Sequence, residues 1–322
     1  MTMLFASPLA EELTAFLAFK RSRGYRYARA EFMLRSFDRF VSGRMGSRRT
    51  WKVEDEILAW LASRPGRKAI SVAMELAVIR EFWRHLHRRD ARRFADAPRW
   101  PRLPTSTRVV ARALSPAQVR LVLSAAQKLE RPRFRRSLYR ALLLVLYCTG
   151  LRFGEAVRLR LRDLDLRRRV LFVAESKGRS RWVPFHASLG AELELYMRAR
   201  YDFVGFEPAP DDAVFVGWDR RGLSVKAASY TVCELFRSTG LKPARGRVGP
   251  RPYDLRHTFA VNRLTAWYRQ GVDLQSRLPW LSAYLGHVNL LGTETYLAAT
   301  PELLGVAGDR FRRRFAGRRR VP

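Results

Sequence analysis

The sequence predicts a mainly α protein: an N-terminal helical bundle, then a larger, mostly helical α+β domain with one small antiparallel sheet. Three observations predict this. Apolar residues recur at three- and four-residue spacing along most of the 322 residues, the mark of helices with one buried face. One stretch, "RRVLFVAESKGRSRWVPF" (168–185), replaces that period with two short β-prone runs around a Lys-Gly-Arg-Ser turn, a hairpin signal. Between them, "DAPRWPRLPTSTRVVARALSP" carries Pro98, Pro101, Pro104 and Pro116 and has no period, so the chain divides there. The expected organisation is a first domain at 1–97, a linker at 98–113 and a second domain at 114–322.

The elements follow in order. "PLAEELTAFLAFKRSRG" and "YARAEFMLRSFDRFVSGRMG" are amphipathic and each ends near a glycine. "TWKVEDEILAWLASRPG" has Thr50 or a neighbour as its cap and Pro65-Gly66 as its stop. "ISVAMELAVIREFWRHLHRRD" completes a four-helix bundle without a strand signal. The second domain opens with "SPAQVRLVLSAAQ", where Ser115 is placed to cap and Pro116 suits the first helical position. A buried helix, "SLYRALLLVLYCTG", stops at Gly150. A further helix precedes the hairpin, "AVFVGW" (213–218) reads as one more strand, and the remainder is helical up to the basic tail "RFRRRFAGRRRVP". There is no internal repeat.

Composition narrows the function classes. The content of 47% hydrophobic residues is incompatible with a disordered chain. Lys and Arg number 62 against 29 Asp and Glu, a formal charge of +33. The excess is spread over both halves, with 21 basic and 11 acidic residues in 1–100 and 41 and 18 in the rest. Such a chain is suited to a polyanion, because each phosphate it neutralises releases condensed counterions. An excess in both halves points to a clamp on DNA rather than a neutral body with a basic tail. Only seven of the 62 are Lys. Codon usage in a GC-rich genome accounts for that ratio as well as function does, but not for the excess over acids. Cys148 and Cys233 are isolated, with neither CxxC nor metal spacing, so the expectation is a reduced protein without a structural metal. The longest apolar run, "ALLLVLYC" (141–148), is too short to span a bilayer, and the apolar N-terminus lacks a basic n-region. The expected place is the cytoplasm, with no membrane partner.

Four segments carry the candidate chemistry. "CTGLRFGEAVRLRLRDLDL" (148–166) places Arg152 at the opening of a helix; alone, it reads as a surface charge. "RPYDLRHTFAVNRL" (251–264) sets Arg256 and His257 among apolar neighbours, where charged groups need partners. Lys177 sits at the hairpin turn. "LGHVNLLGTETYLAAT" (285–300) holds His287 and, nine residues on, Tyr296, which in isolation reads as a core aromatic.

Together, in the order Arg, Lys, Arg, His, Tyr, these segments resemble the tyrosine recombinase (phage integrase) family. "TGLRFGEAVRL" is similar to the family's first arginine box at Thr149, Gly150, Leu151, Arg152, Glu155 and Leu159. "DLRHTFA" is similar to the second box, "LGH" with the following Tyr to the third, and "SKGRSRWVPF" to the hairpin bearing the family's lysine. Each motif is weak alone; four in order are specific, and the resemblance spans nearly the whole chain. It implies an N-terminal core-binding, SAM-like helical domain, a linker and a catalytic domain. The implied activity is site-specific cutting and rejoining of double-stranded DNA through a 3′-phosphotyrosyl intermediate, without cofactor or metal. The implied context is a homotetramer on two duplexes with inverted-repeat sites, serving integration, excision or transposition of a mobile element in the bacterial nucleoid. The length of the segment from Trp267 to Leu303 resembles the transposon-encoded subgroup, whose members sometimes act beside sister recombinases.

Carried over by position, Tyr296 is the nucleophile, Arg152 and Arg256 hold the phosphate, Lys177 is the general acid and His287 contacts phosphate or helps move the proton. Those residue types suit the chemistry. A tyrosyl ester conserves the energy of the broken phosphodiester, and guanidinium forks match the oxygens on which transition-state charge accumulates. Glu155 falls on a position that braces the first box through backbone hydrogen bonds, and His257 on one given to helix packing.

One departure stands out. Tyr253 occupies the place, three residues before the second Arg, where the family usually has His. A phenol is a poor base near neutrality but can hydrogen-bond a phosphate or relay a proton. Three readings are open: a tolerated substitute, a slow enzyme, or loss of catalysis, with retention of the other five residues against the last. A catalytically inactive accessory DNA-binding member and a type IB-like topoisomerase remain as rivals. Of the other candidates, His186 reads as a surface residue and Tyr230 and Tyr284 as core aromatics. His85 and His87, in "RHLHRR", suit phosphate contact and plain solvation equally.

Overall fold

The computed structural model describes residues 4–45, 53–63, 66–92, 112–130, 132–176, 179–246, 248–287, 289, 291–294, 305, 308–309 and 312. The chain separates into two compact units, Met1–Val109 and Val110–Pro322.

In the first unit the described residues form α1 (Ala10–Ser22), α2 (Ala28–Met45), α3 (Val53–Ala62) and α4 (Ala69–Arg89). The spacing read in the sequence becomes one core. Leu13, Phe16 and Leu17 of α1, Leu34, Phe37 and Val41 of α2, Ile57 and Trp60 of α3, and Ile79, Phe82, Trp83 and Leu86 of α4 all turn inward. Full burial of each such side chain contributes roughly 1.5–3 kcal/mol. Phe37 meets Trp60 edge to face at 5.4 Å. The chain entering α1 is tied to α2 by buried Asp38, whose carboxylate accepts from Ser7 N–H and Ala6 N–H, both at 2.9 Å. His85 does not fit either expectation for it. Its ring packs beside Phe16 and Phe19, centroids 5.3 and 5.0 Å away, and burial lowers its pKa, as do Arg89, Lys20 and Arg88. Thr50 and Pro65, and residues 93–111 with most of the expected linker, lie outside the described residues.

The second unit comprises α5 (Pro116–Gln127), α6 (Phe134–Thr149), α7 (Phe153–Val157), a 3-10 turn (Leu161–Asp163), β1 (Leu164–Asp165), β2 (Val170–Ser176), β3 (Arg179–Pro184), α8 (Ala187–Val204), α9 (Val225–Ser238), α10 (Asp254–Arg269), α11 (Leu274–Leu285) and α12 (Leu291–Glu294). Ser115 caps α5 through a reciprocal box with Gln118, at 3.2 and 2.9 Å. α6 is the central helix, its Leu138, Leu142, Val145 and Leu146 buried in the main core. The sheet is antiparallel in the order β1-β2-β3, with a register shift between Val173 and Ser176.

Two strand expectations need correction. "AVFVGW" is not a strand: Ala213 and Val216 each make a single isolated bridge. Val214, Phe215 and Val216 are buried in succession, so the segment threads the core instead of alternating its faces. β1 escaped notice because two residues inside "RLRDLDL" give no period. Tyr230 is exposed, not core, whereas Tyr284 stacks on Phe259 at 5.5 Å. Among the described residues no helix is long and apolar enough to cross a membrane.

Candidate active site

Two glycines build the site's framework. α6 ends with Gly150 in the left-handed region, φ +63°, and α11 ends with Gly286 there, φ +69°. Both are helix C-terminal turns of the kind glycine favours. At α11 the turn closes with His287 N–H donating to Ser282 O at 3.0 Å and Gly286 N–H to Ala283 O at 3.0 Å. Space requires glycine as well. A Cβ on Gly150 would stand 2.5 Å from Phe259 Cδ1, and one on Gly286 2.7 Å from an Arg181 guanidinium nitrogen.

These turns leave carbonyls pointing sideways, and the guanidiniums take them. Arg256, on α10 and 1% exposed, donates to Gly150 O at 2.9 Å and Leu285 O at 2.8 Å. Arg152, at the mouth of α7, donates to Gly286 O at 2.6 Å. So the two arginine boxes and the "LGH" turn, up to 134 residues apart in sequence, interlock.

His287 joins them, its Nε2 2.8 Å from an Arg256 guanidinium nitrogen and its Nδ1 2.6 Å from Thr293 Oγ1. A guanidinium only donates, so Nε2 is the acceptor. The proton sits on Nδ1 and is donated to Thr293, which is fully buried. The imidazole in this arrangement is neutral.

Glu155 braces the first box as its position suggested. Its Oε2 accepts from Arg152 N–H at 2.9 Å and its Oε1 from the Arg152 side chain at 2.6 Å. It also holds a residue missed in the sequence, Arg181 of β3, whose guanidinium donates to Glu155 Oε2 at 2.7 Å and to Tyr284 O at 2.8 Å. A signal for Arg181 was available. Period two along β3 puts it on the same face as buried Val183, opposite buried Val173, and a charge on an inward strand face demands a partner.

Tyr253 stands immediately before α10, 38% exposed, its ring edge to face on His257 at 4.7 Å. His257 is mostly buried, its Nε2 3.9 Å from Asp254 Oδ1. Burial pushes its pKa down; Asp254 acts upward, Arg251 and Arg256 downward. His186 is exposed and caps α8, its Nδ1 accepting from Ser188 N–H at 3.2 Å. Arg152, Arg256 and His287 are therefore brought together, with Tyr253 one turn from Arg256 along α10. Lys177 and Tyr296 lie outside the described residues, as does most of the basic tail. The described residues include no cluster of three or more metal-ligating side chains.

Comparison with known proteins adds sequence-wide relatives. The profile of the phage integrase family matches residues 112–302. Two proteins of Sinorhizobium fredii (strain NBRC 101917 / NGR234), named as the integrases/recombinases y4rB and y4rE, are 33% and 32% identical to the chain. The first alignment covers 97% of this chain and 99% of y4rB, the second 95% and 96% of y4rE. A structure of the Tn1549 transposon integrase in complex with circular intermediate DNA superimposes with a TM-score of 0.65 at 16% identity. It covers 93% of this chain and 99% of that one, a likeness of fold.

Proposed function

The chain belongs to the phage integrase family, the tyrosine recombinases, and from that premise we propose that it cuts and rejoins DNA at specific sites through a 3′-phosphotyrosyl intermediate, moving a mobile element. The observation that carries this reading is the interlocked cluster of Arg152, Arg256 and His287, assembled from distant boxes by the carbonyls of Gly150, Leu285 and Gly286. Three guanidiniums stand there with one carboxylate, Glu155, so the cluster is positive where a phosphate would enter.

In this mechanism the Tyr296 hydroxyl oxygen attacks the scissile phosphorus. The new phosphotyrosyl bond forms as the bond to the 5′ oxygen breaks, and Lys177 gives that oxygen a proton. Arg152 and Arg256 bind the non-bridging oxygens as charge accumulates. Losing one such donor typically costs roughly 2.7–4 kcal/mol of transition-state stabilisation. His287 either accepts the tyrosine proton at Nε2, which carries none in this arrangement, or, once protonated there, donates to the phosphate. The partner strand's 5′ hydroxyl then reverses the steps. Exchange between two duplexes requires four cuts, and one nucleophile per chain gives a tetramer. The charge of +33 supports a DNA substrate. Two relatives in a single strain support the idea of sister recombinases. Tyr253 acts as a substitute for the usual His, exposed enough at the start of α10 to reach a phosphate or relay a proton.

The test uses the full chain and labelled duplexes from the DNA flanking its gene, each nicked near the suspected cleavage point to trap the intermediate. An SDS-resistant adduct, lost in Tyr296→Phe, is expected. A second reading, a DNA-binding accessory without catalysis, is favoured by Tyr253. Binding without an adduct, restored by Tyr253→His, would select it.

A further inference from the structure

We propose that Arg181 is a positioning residue for proton delivery: it ties strand β3, which begins two residues after the proposed acid Lys177, to the elements that hold the two arginines. This rests on the functional reading above and adds to it a residue that none of the four motifs assigned.

The geometry is specific. Arg181 lies on β3, paired with Val173 of β2, and its side chain is only 9% exposed. One fork serves two different parts of the site: Glu155, which also holds Arg152, and the carbonyl of Tyr284, two residues before the Gly286 whose own carbonyl holds Arg152. Its plane covers Gly286 so closely that a Cβ there would meet the guanidinium at 2.7–3.0 Å. Tyr284 reinforces the tie, its hydroxyl donating to Pro184 O at the end of β3 at 2.9 Å.

Besides this latch, the hairpin has its own ladder, the pairing of β2 with β1, and Leu171, Val173 and Val183 in the core. Arg181 is four residues from Lys177, at most roughly 13 Å of extended chain. Because Lys177 precedes Arg181 by only four residues, a shift of β3 at Arg181 displaces the proposed acid relative to the phosphate that Arg152 and Arg256 would hold. Releasing Arg181 costs alignment of the acid, and misplacement by about 1 Å is enough for a loss on the order of 10²-fold.

Single-turnover cleavage of the nicked duplex separates this from a general structural role. Two substrates are compared, one with the natural 5′ oxygen and one with sulfur in its place at the scissile bond. A thiolate leaves without a proton donor, having a pKa near 8.5, so only defects in acid catalysis are rescued by sulfur. Lys177→Ala should be slow on oxygen, by about 10²-fold or more, and fast on sulfur. Arg152→Ala should be slow on both. Arg181→Met is expected to follow Lys177→Ala, slow on oxygen and within about threefold of wild type on sulfur. The Lys177→Ala/Arg181→Met double variant should be no slower than Lys177→Ala alone, because the two changes act through one step. Arg181→Lys, able to keep the ion pair with Glu155 but not the fork, should recover part of the oxygen rate, and it replaces the Met variant if that one fails to fold. Arg181 variants that stay slow on sulfur, or that match wild type on oxygen, overturn the latch. A wild-type chain that forms no adduct, or a Lys177→Ala variant that sulfur does not rescue, overturns the underlying reading instead.

Discussion

Replacing Gly150 with alanine tests whether the first box is held by space as well as by backbone conformation. Gly150 and Gly205 make a matched pair: each ends a helix of the second unit in the left-handed region, at φ +63° and +73°, with its N–H donating to the carbonyl four residues back. They differ in surroundings. A Cβ on Gly205 meets nothing within 4 Å, whereas one on Gly150 meets Phe259 Cδ1 at 2.5 Å and Leu285 Cδ2 at 2.9 Å. Those neighbours cannot easily yield, since Phe259 stacks on Tyr284 and Leu285 is fully buried. Gly205→Ala should therefore cost only backbone strain, about 1–2 kcal/mol, less the roughly 0.4–1 kcal/mol gained by stiffening the unfolded chain. Gly150→Ala adds an overpacking cost of about 1–3 kcal/mol. It also shifts the carbonyl that holds Arg256, so strand cleavage should fall with stability, while Gly205→Ala leaves cleavage near wild type. Urea unfolding of the full chain, with single-turnover cleavage alongside, measures both. Equal loss of stability in the two variants would refute the close-packing argument.

Three further outcomes are expected. Glu155→Gln withdraws the charge shared by Arg152 and Arg181, both mostly buried, and should destabilise the chain by about 2–4 kcal/mol in the same unfolding assay; a change under half a kilocalorie would mean the pair is structurally idle. Burial, with a smaller push from Glu192, raises the Cys148 thiol from 9.0 to about 11. Alkylation followed by mass spectrometry should then find Cys148 on the order of 100-fold slower than a free thiol at pH 8, and a rate like that of a free thiol would contradict its setting. His257 has a folded-state pKa below its ordinary value, so the unfolded chain takes up its proton first as pH falls below about 6.5. The stability due to neutral His257 is complete above that pH and is lost as pH falls through the folded-state pKa; His257→Gln should flatten the unfolding free energy between pH 7 and 5, and an unchanged slope would remove His257 from the account.

The helices were legible because each buries a face of regular period, and Ser115 with Pro116 announced a cap in residue types that have few other uses. The hairpin was legible because it alone broke that period. The short pieces were not: β1 is two residues long, and at 213–218 three successive buried side chains mimic a strand without pairing as one. Of the site, Arg152, Arg256 and His287 were legible through their motifs. Arg181 was missed although the period of β3 turns it inward, because the partner it needs, Glu155, lies 26 residues away in sequence, and Thr293 was missed because no motif marks it. His85 misled for the opposite reason. Surrounded in sequence by arginines, it faces two phenylalanines of α1, and sequence neighbours on a helix are not spatial ones.

The choice of acceptors explains why the two arginines are held by turns. A carboxylate against each guanidinium would fix its position equally well but would cancel the charge that a phosphate must feel. Arg256 is instead oriented by two carbonyls and a neutral imidazole, acceptors that align its fork and leave its charge whole. Arg152 shares its one carboxylate with Arg181, so the excess stays positive there too. Helix ends supply such neutral acceptors, since their last carbonyls have no partner within the helix, and a left-handed glycine turns the chain sharply enough to present them to a neighbouring element. On the proposed reading the glycines of "TGLR" and "LGH" thus belong to the phosphate site although they would touch no substrate. Their replacement should weaken transition-state binding even where the arginines themselves are intact.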